Sequence, residues 1–272
     1  MCQILQVSQS GYYAWTHRPE SSRAQANREL GRRIQAIHAT SRGTYGVRRV
    51  QAALTEQHVL CGKHRVARLM RSAGLHGKGR ARRPPRTTRS DPTRQATANV
   101  LNRDFSADRP NQKWLADITY IDTREGFLYL AGVLDVFSRR VVGWAMADHM
   151  REELVEDALQ MALVQRQPNH ALLHHSDQGS QYSSDDYLAL LAQHGMTVSM
   201  SRRGDCFDNA MMESFWGTLK AECATAPFPA RAAARLAIFD FLEVWYNRQR
   251  LHSALDYTSP ASFERLHVLP FP

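Results

Sequence analysis

This chain of 272 residues has few cysteines, no long apolar run and, over its first 110 positions, few acids. Its four cysteines, Cys2, Cys61, Cys206 and Cys223, form no CxxC pair and no cluster with histidine. That suits a reducing cytosol and argues against a zinc site. The longest apolar stretch, FLYLAGVLDVF, is short and broken by Asp135, so no segment is expected to span a bilayer. The start, MCQILQVSQSGYYAW, lacks the basic lead-in, apolar core and small-residue cleavage site of a secretory leader. A cytoplasmic protein without a membrane partner is the expectation.

What is present is positive charge, unevenly spread. The net charge is +9, yet residues 1–110 hold 21 Lys and Arg against 6 Asp and Glu, whereas the remainder holds 14 against 20. A basic half joined to an acidic half is what a nucleic-acid grip attached to a metal-dependent active site would look like. The plainer alternative is a solvated basic surface.

Three regions follow from pattern. Residues 1–76 read as short helices forming a helix-turn-helix-like, DNA-binding domain. Leu30, Ile34 and Ile37 mark one apolar face, and Val47, Val50 and Leu54 a second, with Arg48 and Arg49 pointing away. Val66, Leu69 and Met70 mark a third face on a helix ended by Gly74, whose other side carries Lys63, His64, Arg65, Arg68 and Arg71. A small bundle with an ordinary charged exterior is the competing reading. Residues 77–106 are a basic, proline-interrupted, extended linker in which Arg82, Arg83 and Arg86 would meet phosphates irrespective of sequence. Residues 107–270 carry three β-rich runs, then helix, strand, helix, strand and helix. This describes an α/β mixed sheet in the order of the ribonuclease H-like fold.

Within that core, Asp117 interrupts the apolar strand WLADITYI, where a carboxylate is costly unless its charge is compensated. A core acid bonded to backbone amides would satisfy the same observation. Asp177 leaves the fourth strand in HHSDQGSQYSS, where a turn former or helix N-cap is the bland alternative. Strands one and four are neighbours in this fold, so the two acids should approach and repel unless a divalent cation lies between them. Glu213, with 35 residues between it and Asp177, supplies a third carboxylate from the last helix of the core, at the D(35)E spacing of retroviral integrases and many transposases. Asn209, Glu213, Gly217 and Lys220 share one line of that helix, seven residues turning about 700°. An oxygen-only donor set selects two Mg²⁺ or Mn²⁺ ions. Asp117 would bridge them, Asp177 and Glu213 would each hold one, and Lys220 would hold a phosphate near the scissile bond. His174 and His175 read as structural, and Trp245 and Tyr246 as core aromatics rather than base-stacking platforms. Arg248, Arg250 and His252, in a basic turn between a helix and an end stopped by Pro260, are candidate DNA contacts, as is Asn209.

The motifs WLADITYI, HHSDQGSQYSS, SMSRRGDCFDNAMMESFWGTLKAE and YNRQRLHSALDYTSPASFE resemble the DDE transposases of bacterial insertion sequences, IS-three group, in their second-reading-frame form. The YGVRRV…RVARLMRSAGL part resembles that family's helix-turn-helix-like domain, and the resemblance runs over nearly the whole chain. It maps the catalytic acids onto Asp117, Asp177 and Glu213 and the basic residue seven positions on onto Lys220. Ala116 departs from the hydroxyl residue many members carry there. The resemblance implies cleavage at terminal inverted repeats and transfer of a 3′-hydroxyl to target DNA. It also implies a homo-oligomer on nucleoid DNA, and an upstream reading-frame product as a frameshift fusion partner. No heptad run resembles that partner's leucine zipper near Met1. Two other functions stay in view: a ribonuclease H-type nuclease acting on RNA–DNA hybrids, and a catalytically silent DNA-binding regulator of transposition.

Overall fold

Leu30, Ile34 and Ile37, spaced for one helical face, are all buried, and so are Val50, Leu54, Val66 and Met70. The computed structural model in which they are seen describes residues 2, 4–79, 97–168, 171–202 and 206–267. Arg82, Arg83 and Arg86 lie outside the described residues. The chain divides into two units, Met1–Lys78 and Gly79–Pro272.

The first unit is helical: α1 (Gln9–Thr16), α2 (Ser22–Thr40), α3 (Val47–Glu56) and α4 (Lys63–Ser72). Ser21 caps α2 by accepting from the Ala24 N–H at 3.2 Å. Helix α4 stops before Gly74, where the Leu75 N–H donates back to the Met70 carbonyl at 2.9 Å and satisfies one of the last free acceptors. Helices α2, α3 and α4 share the apolar centre, whereas α1 buries no residue and leaves Tyr13 and Trp15 exposed.

The second unit is built on β1 (Lys113–Ile121), β2 (Leu128–Asp135), β3 (Val141–Ala147), β4 (Leu173–Ser176) and β5 (Thr197–Met200). The order across the sheet is β3-β2-β1-β4-β5. β1, β2 and β3 form an antiparallel meander, and β4 joins β1 in parallel, as β5 joins β4. Helices α5 (Glu152–Arg166) and α6 (Asp185–Gln193) cover one face, where Trp114, Ala116, Val133, Val142, Leu159 and Tyr187 form the main core. Gly143 is required for that closeness, since a Cβ there would stand 2.1 Å from the Ala158 carbonyl oxygen. Helix α7 (Ala210–Glu222) packs against β1 through buried Met212, Phe215 and Leu219. This is the ribonuclease H-like mixed sheet anticipated above, accompanied by a helical N-terminal unit.

After α8 (Arg231–Phe239) the helix widens into a π-helical stretch, Asp240–Tyr246, which buries Trp245 and Tyr246 as core aromatics. Asn247 then acts as a piece of strand: its amide donates to the Val141 carbonyl at 2.9 Å and accepts from the Val141 N–H at 3.0 Å. Pro260 opens α9 (Pro260–His267) instead of stopping an element. Its fixed φ and missing N–H cost nothing at a first helical position. No helix among the described residues is long and apolar enough to cross a membrane.

Candidate active site

Alternation along β1 sends Trp114 and Ala116 into the core under α5 and α6, and therefore turns Leu115 and Asp117 toward the face that α7 covers. Asp117 is crowded by protein atoms but keeps a partial opening to solvent. One carboxylate oxygen accepts the Ile118 N–H at 2.8 Å, and the other accepts the indole N–H of Trp216, on α7, at 3.0 Å.

Asp177 is brought beside it by register. Leu115 pairs with His175 where β1 and β4 run parallel, and two further residues along each chain reach Asp117 and Asp177. Asp177 Oδ1 accepts the Gly179 N–H at 2.9 Å, so the acid also shapes the turn that follows the strand. Glu213 enters from the first turn of α7 and is exposed, where the helix N-terminus favours its ionised form. Burial, then the neighbouring Asp177 carboxylate and, less, Glu213, push the Asp117 carboxyl well above the usual carboxylate range. Desolvation also raises Glu213. The Ile118 and Trp216 donors oppose the rise at Asp117 without overcoming it.

The acids stand near enough for Asp117 to feel both others, yet not as a closed ligand set. Among the described residues no three His, Cys, Asp or Glu side chains are grouped so as to hold an ion. The donor chemistry nevertheless fits a hard cation. All three groups offer oxygen only, and the Lys220 ammonium on which Asp117 pulls leaves the Asp117 carboxyl high all the same.

Lys220, in the last turn of α7, is half-buried, with its ammonium 4.3 Å from the centre of the Tyr120 ring. Desolvation lowers its pKa, while Asp122 and Asp117 pull it back up. The approach to α7 is held by Asp208, a fully buried acid. It accepts from Asn99 at 2.7 Å, Arg103 at 2.9 Å and the Arg202 backbone N–H at 2.9 Å. His174 and His175 are buried and bonded to hydroxyls, His174 to Tyr187 at 2.9 Å and His175 to Ser199 at 2.8 Å and Ser201 at 3.1 Å. Burial depresses them to about 3 and about 4, which leaves both imidazoles neutral.

The residues expected to touch DNA divide sharply. On the first unit, Arg48, Lys63, Arg68 and Arg71 are exposed. Arg65 is half-buried and donates to Asn27 at 2.9 Å, and Arg49 lies over the Tyr45 ring at 5.9 Å. On the second unit Arg248 is exposed, but Arg250 and Asn209 face inward, contrary to expectation. Arg250 is 4% exposed and forms a bidentate pair with Glu222, at 2.6 Å from its terminal nitrogen, so its charge is consumed internally. Asn209 is buried at the N-terminal end of α7, with its amide toward the Ala116 carbonyl at 3.4 Å. His252 is buried as well, against the Tyr246 ring.

Sequence reasoning missed Trp216 and Gly132, which stands opposite Asp117 on β2. Both left a signal. Trp216 falls three residues after Glu213, on the same side of one helical turn. A glycine inside an apolar strand marks close approach by another group.

Comparison with known proteins agrees with this geometry. An integrase core domain family matches residues 107–206, a second integrase core domain model matches 194–260, and an HTH-like domain matches 25–84. The chain is 45% identical over 271 residues to the insertion element IS600 uncharacterized 31 kDa protein of Shigella sonnei, covering 99% of both. It is 40% identical over 271 residues to transposase InsF for insertion sequence IS3A of Escherichia coli, covering 98% of this chain and 94% of that one. A chain of the simian T-cell lymphotropic virus intasome, solved with the PP2A regulatory subunit B56 gamma, shares the fold. Its TM-score is 0.50 at 16% identity, over 87% of this chain and 75% of that one. With strand order, matched domains and relatives in agreement, the chain belongs to the IS3 family of DDE transposases.

Proposed function

We propose that this protein cuts DNA at the ends of its insertion element and transfers the resulting 3′-hydroxyl to a target strand, using Asp117, Asp177 and Glu213 with two Mg²⁺ or Mn²⁺ ions. The observation that carries this reading is electrostatic. A strand acid is pushed up by burial and by two further acids, and the Lys220 ammonium it pulls on does not bring it back down. Such an arrangement is costly to the fold, and a divalent cation relieves it. Bound there, the metal supplies Lewis acidity that readies a water or 3′-hydroxyl and stabilises the departing oxygen.

The chain's own groups do the rest. Asp117 is held in orientation by Trp216 and Ile118, Asp177 by the Gly179 amide. Glu213 reaches in from the rim, and Lys220, on the same helix, offers a point charge to a phosphate beside the scissile bond. Arg48, Lys63, Arg68 and Arg71, with Arg82, Arg83, Arg86 and Arg248, grip phosphates as counterions are released. The working form is a homo-oligomer on terminal repeats and target DNA in the bacterial cytoplasm, with the upstream reading-frame product as fusion partner.

Labelled terminal repeats incubated with the full chain and Mg²⁺, with and without the upstream product, should give joined ends that chelator and Asp177→Asn abolish. Binding without nicking under all these conditions would assign the protein to regulation instead.

A further inference from the structure

Two residues outside the acid set are built around Asp117. The indole N–H of Trp216 ends 3.0 Å from Asp117 Oδ2, while Oδ1 is taken by the Ile118 amide. An indole can only donate, so this contact suits a carboxylate that accepts and never a group that must donate. The ring is nearly out of solvent, at 7% exposure, and is wedged against Phe215 at 4.6 Å between centroids. It therefore has little freedom to swing away from the acid.

Gly132 explains how a tryptophan fits there. It is the register partner of Asp117 on β2, and a Cβ at that position would stand 2.9 Å from Trp216 Cη2 and 3.4 Å from Cζ2. Real side chains do not tolerate the first distance, and the atom met belongs to a rigid ring. Glycine inside a strand weakens it, and here its smallness makes room for the indole.

We propose that Trp216 is a positioning residue for Asp117: its N–H fixes one carboxylate oxygen, and Gly132 leaves the space that the ring needs. Because Trp216 lies one turn beyond Glu213, the same contact ties the helix that carries the third acid to the strand that carries the first. Groups that orient a metal-holding side chain commonly control affinity 10–100-fold. The inference rests on the reading of Asp117 as a metal-holding acid, and the test separates the two.

The full-length protein is compared with Trp216→Phe, Gly132→Ala, their double variant, and a protein carrying benzothienylalanine at 216, which keeps the bicyclic ring but has no N–H. Mn²⁺ binding is read by electron paramagnetic resonance, and cleavage of labelled terminal DNA against Mn²⁺ concentration. Trp216→Phe and the benzothienyl protein should bind Mn²⁺ about 10-fold more weakly and need correspondingly more metal for cleavage, with DNA affinity unchanged. Gly132→Ala should match them. In the Trp216→Phe background the same change should cost less than about 2-fold, because the ring atoms it would meet are gone. Parental Mn²⁺ binding and cleavage in the benzothienyl protein, with Asp117→Asn inactive, would reduce Trp216 to packing and overturn the inference alone. Additive losses in the double variant would overturn the role of Gly132. Full Mn²⁺ binding and cleavage in Asp117→Asn would instead remove the reading beneath both.

Discussion

Glu264 lies between two guanidiniums, Arg166 at 2.8 Å and Arg140 at 2.8 Å, and accepts the Ser138 hydroxyl at 2.8 Å. Those contacts outweigh its burial and hold its carboxyl below the usual range. Asp117, in the same unit, has two neutral N–H donors and a second carboxylate for a neighbour, and is pushed the other way. The Glu264 arrangement recurs at Asp208, with Arg103 and Arg202, and at Glu222, with Arg250. At these three acids a guanidinium answers the charge, whereas the fully buried Asp135 accepts from the Asn111 N–H and from the Ser138 N–H and hydroxyl instead. At Asp117 burial and the neighbouring carboxylates prevail over the Lys220 ammonium, and a cationic ligand would relieve them. Perturbed carboxyls of this kind cluster at functional sites.

The comparison is broken most forcefully by exchanging charge for amide in each region. Asp117→Asn, Asp177→Asn and Glu213→Gln should each lower strand cleavage by on the order of 10⁴-fold, with DNA affinity in a mobility-shift assay largely retained. Glu264→Gln should leave cleavage per folded molecule near the parental rate. Parallel loss of DNA binding in all three active-site variants would make those acids structural.

Removing a partner from the structural region comes next in size. Arg166→Ala leaves Glu264 buried with one guanidinium fewer and should cost about 3–5 kcal/mol in urea unfolding. Arg250→Ala should behave alike, since Arg250 and Glu222 side chains are each 5% exposed. An unfolding midpoint close to the parent in both would show that these pairs are not what distinguishes the regions. A smaller effect belongs to Lys220→Ala, expected to slow end cleavage roughly 10-fold while leaving nonspecific DNA binding unchanged. A parental cleavage rate would remove the phosphate role.

Much of the catalytic core was legible before any coordinates. Their β-rich composition marked the three meander strands, and the apolar strand around Asp117 made that acid conspicuous. The spacing from Asp177 to Glu213 added the third. What escaped was orientation. Arg248 and Arg250 look alike in a basic turn, but the one faces solvent while the other meets Glu222, 28 residues away along the chain. No local pattern announces that partner. Asn209 shares the line of Glu213 on a helical projection, yet the chain enters α7 through a short 3₁₀ turn, Cys206–Asn209, which carries it inward. The Trp216 contact likewise needs the β2 register that sets Gly132 opposite Asp117.

Asp117 offers the most direct measurement, through thermal unfolding of the parent and Asp117→Asn from pH 4 to pH 8, with and without Mg²⁺. An acid raised to about 8 in the fold binds more protons folded than unfolded between its ordinary range and that value. Its contribution is therefore fully present at pH 4 and lost as pH rises through 8. Without metal at pH 8, Asp117→Asn should be the more stable protein by about 1–2 kcal/mol, the advantage fading toward pH 4. Mg²⁺ should raise the parent's midpoint and barely move the variant's. A variant less stable than the parent at pH 8, with equal Mg²⁺ response in both, would contradict the account.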